Sequence, residues 1–155
     1  MNRLGLTVLV LLIGVILTAC GGAAGTEEEV SRQEIEETLK SYLPLLAEAY
    51  ATGDLEPLRP YVAEKEISRV FKRVQDLSYQ GRTLVPTFRQ LTIEDVNVWN
   101  YSNAYVTTHE VWDLVVYATG SENVLAEEYE QPNRVKYQFK RDGDQWRVLF
   151  RTIQE

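Results

Sequence analysis

Near Pro86 the hydrophobic period of this chain changes from about 3.6 residues to 2, and that change restricts the fold more than any other feature. Upstream, Ile35, Leu39, Leu43, Leu46 and Tyr50 recur at helical intervals, as do Ile67, Val70, Phe71, Val74 and Leu77. Downstream, apolar and polar residues alternate as they do in half-buried strands. Helices followed by antiparallel strands make an α+β domain, because a helix must bury one stripe and a sheet at least one face.

The local signals predict where these elements begin and end. Ser31 and Glu34 have capping-box spacing and open a helix from about Ser31 to Ala51, stopped by Gly53. Asp54 caps a short second helical stretch, which Pro57 and Pro60 keep from lengthening. A third helix begins near Glu64 and ends at Gly81, with Lys72 and Arg73 on its outer side. Four strands are predicted, over Leu91–Trp99, Ala104–Ala118, Tyr129–Lys140 and Gln145–Ile153. Residues 100–103 and the Asp142-Gly143-Asp144 turn supply tight reversals, whereas the stretch after Thr119 is a looser connection.

Alternation assigns faces. On the second strand Val106, Thr108, Glu110, Trp112, Leu114 and Val116 point one way, toward the core, and Tyr105, Thr107, His109, Val111 and Asp113 the other. Val135, Tyr137 and Phe139 alternate with Arg134, Lys136 and Gln138; Trp146, Val148 and Phe150 alternate with Arg147, Leu149 and Arg151. The outer face is thus a mixture of aromatic, aliphatic and charged residues that a partner chain or a second copy can cover.

Ahead of this domain, residues 1–19 read as a secretory signal: a short basic start, then Leu4–Ala19 with no charge. The apolar run is too short for a comfortable membrane span. Leu17-Thr18-Ala19-Cys20 resembles the bacterial lipobox, which implies cleavage before Cys20 and attachment of lipid, palmitate included, to that residue. Cys20 is the only cysteine, so no disulfide forms within one chain. Residues 20–30, glycine-rich and then acidic, read as a flexible tether, and 31–155 as a single domain. Such a chain is an extracytoplasmic protein held to a cell membrane by its lipid. Its formal charge of −7 becomes one unit more negative once Arg3 is removed, which argues against a nucleic-acid partner.

The order of elements, together with Ala104-Tyr105-Val106, Glu110-Val111-Trp112 and the closing Tyr137–Val148 hairpin, resembles the nuclear-transport-factor-2-like (SnoaL-like) superfamily. Within it the likeness is to the IMS-type domain of plastid-division and cyanobacterial membrane proteins. The resemblance implies a cone-shaped fold of three N-terminal helices packed on a curved four-stranded antiparallel sheet. The superfamily holds steroid isomerases, polyketide cyclases, dehydratases and many modules without catalysis, so the fold does not choose among them.

Of the residues that carry chemistry, Glu110 stands out. Alternation puts its carboxylate among core side chains, where it needs a cation or hydrogen-bond donors. One reading makes Glu110 the general base of a small isomerase or cyclase, with Tyr42, Tyr50, Tyr61 or Tyr137 offering a phenol. The favoured reading is structural, with Arg69, Arg73 or Arg89 as its partner. Tyr50, Glu110, Trp112, Tyr137 and Trp146 are the residues expected to line a ligand site. No His, Cys and carboxylate cluster has metal-ligand spacing, no nucleophile motif is present, and no cofactor is expected. His109 belongs to the outer surface. Together these features point to a membrane-anchored binding or scaffold module, non-catalytic, that holds a partner protein or a small apolar ligand.

Overall fold

The computed structural model describes residues 27–154; the signal segment, Cys20 and most of the tether lie outside the described residues. Helix α1 spans Glu27–Thr52, a single 3-10 turn spans Glu56–Leu58, and helix α2 spans Glu64–Tyr79. Strands β1 (Arg82–Trp99), β2 (Asn103–Ala118), β3 (Val124–Asp142) and β4 (Gln145–Gln154) follow. The strands pair antiparallel in sequence order as one open sheet, and the helices pack on one face of it. Among the described residues no helix is long and apolar enough to cross a membrane.

The α+β architecture agrees with the sequence pattern, with four corrections. There are two α-helices, because the segment expected as a second helix is reduced to a 3-10 turn with proline in its first positions. The first strand begins at Arg82 rather than Leu91. Pro86 does not break it, since β1 is an edge strand where a missing N–H is tolerated. The third strand begins at Val124, five residues early, because its acidic start pairs with the upper half of β2 although it buries almost nothing. Helix α1 likewise already includes Glu27–Val30, which the sequence assigned to the tether, so Ser31 is a buried residue within the helix.

Helix α1 supplies most of the helical core. Ile35, Leu39, Tyr42, Leu43 and Leu46 are buried in one cluster with Val106, Val135, Tyr137, Phe139 and Val148 of the sheet. Each such aliphatic side chain contributes about 1.5–3 kcal/mol of transfer free energy. Pro44 lies within α1 on its exposed side, where the carbonyl it leaves unpaired can reach water. Helix α2 packs through Ile67, Val70 and Leu77, while Phe71, expected in the same stripe, is half exposed.

The free edge of β4 is covered. Val62 forms a parallel bridge with Val148, with Ala63 N donating to Val148 O at 2.9 Å and Val148 N to Tyr61 O at 2.8 Å. The connection between the helices thus blocks an edge that otherwise invites pairing with another chain.

Candidate functional site

Strand alternation carries Thr108, Glu110 and Trp112 onto the inner face of β2, as the sequence predicted. Glu110 has no exposed surface at all. One of its oxygens, Oε1, accepts hydrogen bonds from the Tyr137 hydroxyl and from Thr108 Oγ1 at 3.0 Å. The other, Oε2, accepts from the Trp112 indole N–H at 2.9 Å. Three donors from two adjacent strands therefore satisfy a carboxylate enclosed in an apolar core, which is the condition for keeping such a group buried.

The cation near this carboxylate is Arg151, and the expected partners Arg69, Arg73 and Arg89 go elsewhere. Arg89 pairs with Asp113. Arg69 lies 3.9 Å from Glu66 Oε2 and donates to the Arg151 carbonyl at 3.2 Å, and Arg73 is exposed. Arg151 reaches the inner face because the β3–β4 register slips at Leu149. Phe139 pairs with Val148 but Gln138 with Phe150, so Arg151 falls opposite the buried Tyr137. One extra residue in a strand inverts the facing of everything beyond it. Sequence alternation therefore put Arg151 on the wrong side, and no turn or glycine near Leu149 signals the slip.

Glu66 and Tyr42 complete the polar interior, and nothing in the sequence pattern singles out Glu66. Both are buried, and neither Glu66 Oε2 nor the Tyr42 hydroxyl meets hydrogen-bond geometry with a protein partner. Burial pushes the Glu66 carboxyl above its ordinary range, against the lowering influence of Arg151 and Arg69. Burial likewise raises the Tyr42 and Tyr137 phenols, with Glu110 adding to the effect at both, so both hydroxyls keep their protons and that of Tyr137 donates to Glu110. Burial opposes the charge on Arg151, the Glu110 carboxylate favours it, and the guanidinium stays protonated.

The remaining ligand-site candidates are only partly gathered around Glu110. Trp112 and Tyr137 bond to it, but Trp146 is buried elsewhere and donates from its indole N–H to Glu34 Oε2 at 3.1 Å. Trp146 and Glu34 line a cleft beside Pro60 and Tyr61. Tyr50, half-buried, lines a separate small cleft with Gly53, Val74 and Leu77. Among the described residues no group of three His, Cys, Asp or Glu side chains is placed to hold a metal ion. His109 is on the outer face, where its Nε2 lies 2.7 Å from Glu94 Oε1 while Arg134 Nε donates to Glu94 Oε2 at 2.8 Å.

No family model and no curated protein sequence matches the chain. Solved structures do. The intermembrane space region of the chloroplast protein ARC6 superimposes with a TM-score of 0.68 at 14% identity, covering 78% of this chain and 94% of that one. An NTF2-like family protein from Streptomyces avermitilis, proposed to be a dehydratase, gives 0.54 at 14% identity over 81% of this chain and 96% of that one. The fold is that of the NTF2-like proteins. A third similar structure, a function-unknown protein from Mycobacterium tuberculosis, has a TM-score of 0.52 at 14% identity over 86% and 77% of the two chains. At these identities the NTF2-like likeness carries the architecture and no activity. In this chain the interior of the NTF2-like cone, where helices and sheet face each other, is filled by Tyr42, Glu110, Trp112 and Tyr137, all buried.

Proposed function

We propose that this chain is a lipid-anchored, extracytoplasmic binding module without a catalytic step of its own, holding a partner protein or a small apolar ligand at a membrane surface. The observation that carries the non-catalytic reading is the enclosure of Glu110. A general base must meet the proton it abstracts at hydrogen-bond distance. Glu110 is fully buried, and both of its oxygens accept hydrogen bonds, from Thr108, Trp112 and Tyr137. As a base it lacks an approach for substrate; as a structural acceptor it joins β2 to β3.

The likeness to an intermembrane-space region supports an address outside the cytoplasm, and Leu17-Thr18-Ala19-Cys20 supports attachment through lipid on Cys20. The test is intact-mass analysis of the chain purified from membranes beside a Cys20→Ala variant. A lipid-sized increment present in the first and lost in the second is the expected result; an unmodified Cys20 overturns the anchor. The competing reading, an isomerase or cyclase using Glu110, requires that Glu110→Gln abolish a turnover while leaving ligand affinity in place. The binding reading expects that substitution to alter stability alone.

A further inference from the structure

We propose that the hairpin joining β1 to β2 seats on the lipid surface that carries the anchor, with Trp99, Tyr101 and Tyr105 at headgroup depth and Lys136 and Lys140 against lipid phosphates. The inference rests on lipid attachment at Cys20 and adds to it a fixed orientation of the domain.

Trp99 and Tyr105 form a partly exposed aromatic pair on the outer face, and Tyr101 projects from the turn between their strands. Trp99 and Tyr105 stack with centroids 4.7 Å apart, and Lys136 Nζ lies 4.7 Å from the centre of the Tyr105 ring. Tyr101, at the tip, is 72% exposed, and Tyr105 is 40% exposed. Tyr101 also has a φ of 52°, a left-handed conformation that costs a bulky residue energy and that a glycine there would adopt freely. The turn therefore holds an aromatic ring outward where local sterics favour none. Lys140 is exposed and pairs with Asn103, whose partner on the other side is Trp99, so Trp99 and Lys140 flank Asn103 across three strands. Tryptophan and tyrosine with lysine is the side-chain set that settles at a membrane–water boundary, rings in the interfacial layer and ammonium groups at the phosphates.

The path of the chain selects lipid as the occupant. The first turn of α1 lies against this hairpin, since Glu27, Glu28 and Ser31 line one cleft with Val98, Asn100 and Tyr101. Residues 20–26 reach at most about 25 Å when fully extended, so lipid on Cys20 holds the bilayer within that distance of Glu27, at the Tyr101 end of the domain. Glu27, Glu28 and Glu29 stand at the same end, so the surface is not uniformly basic. Ring insertion, rather than charge alone, makes the contact, and a bilayer bearing both ammonium and phosphate groups suits it.

The test uses the full chain purified from membranes and reconstituted in phosphatidylethanolamine/phosphatidylglycerol vesicles, then iodinated by a peroxidase confined to the water phase. Tyr79 is 84% exposed beside the start of β1, at the far end of the strand, and serves as internal reference. Tyr101 and Tyr105 should be labelled severalfold more slowly than Tyr79, and Lys136→Glu with Lys140→Glu should restore their labelling while the circular dichroism spectrum stays unchanged. Equal labelling of Tyr101 and Tyr79 overturns the proposal. The mass of the Cys20 peptide from the same digest separates the two ideas: lipid on Cys20 with Tyr101 freely labelled leaves the anchor and removes the seating, whereas an unmodified Cys20 with Tyr101 protected does the reverse.

Discussion

Arg151 stands directly across the β3–β4 ladder from Tyr137, so a cation from the last strand enters the same interior as Glu110, Tyr42 and Glu66. The slip at Leu149 creates this relationship and brings Arg151 within electrostatic range of two buried carboxylates, Glu110 and Glu66.

Removing that charge strands the carboxylates. Arg151→Met should destabilise the domain by about 2–4 kcal/mol, the cost of leaving a buried charge without its partner. The decrease is read from the midpoint of urea unfolding. Adding Glu66→Gln should recover part of the loss, and strict additivity of the two changes would show that the groups do not interact.

Glu110 is the acceptor for three donors, so its removal is felt through them. Glu110→Ala leaves the Tyr137 hydroxyl, the Trp112 indole and Thr108 Oγ1 without their acceptor and should cost about 3 kcal/mol or more. Tyr137→Phe removes one bond of the set and should cost about 1–2 kcal/mol. A double-mutant cycle on the pair should give a non-zero coupling energy; zero coupling would mean that the Tyr137 hydroxyl does not bond to Glu110 in solution.

Glu66 sets a pH dependence of definite sign. Its carboxyl is raised in the folded chain, chiefly by burial, so the folded state holds that proton more tightly than the unfolded state. The resulting stability is fully present below the ordinary carboxylate range and is lost as pH rises through the folded value. Glu66→Gln should therefore gain stability relative to the wild type at neutral pH, with the two converging near pH 4, about the ordinary carboxylate value. A variant less stable than the wild type at neutral pH reverses the sign assigned here.

Asp113 acts in the opposite direction, from the other end of the sheet. Its Oδ1 accepts the Glu130 backbone N–H at 2.9 Å and its Oδ2 bonds Arg89. The Glu130 N–H first, and then Arg89, hold its carboxyl below the usual range. This contribution exists above the ordinary carboxylate pKa and disappears as pH falls through the folded value. Asp113→Asn should flatten the acid limb of the stability profile. The clamp also holds Glu130 at a φ of 52°, so Glu130→Gly should relieve backbone strain and raise stability by about 0.5–1 kcal/mol, as thermal unfolding would show.

How far the site could be read from the sequence follows from how local its determinants are. Glu110, Trp112 and Tyr137 fall into one interior on sequence grounds because strand alternation is a property of neighbouring residues, and β2 keeps its alternation from Ala104 to Trp112. Asp113 breaks the pattern, buried where alternation expects an outward residue, at a register shift between β2 and β3. Glu66 is hidden for a similar reason: at the start of an amphipathic helix an acidic residue reads as a favourable first-turn charge, and only the packing of α2 over Arg151 turns it inward.

The class of fold, the switch from helix to sheet, the inner face of β2 and the lipobox-like segment ahead of Cys20 are all written in the spacing of nearby residues. Strand pairing and packing are what start β1 before Pro86, make Arg151 and not Arg69, Arg73 or Arg89 the cation of the interior, and set Trp146 and Tyr50 in clefts apart from Glu110. Those outcomes depend on register, and register is fixed by which residues of distant strands meet, a choice that local spacing does not contain.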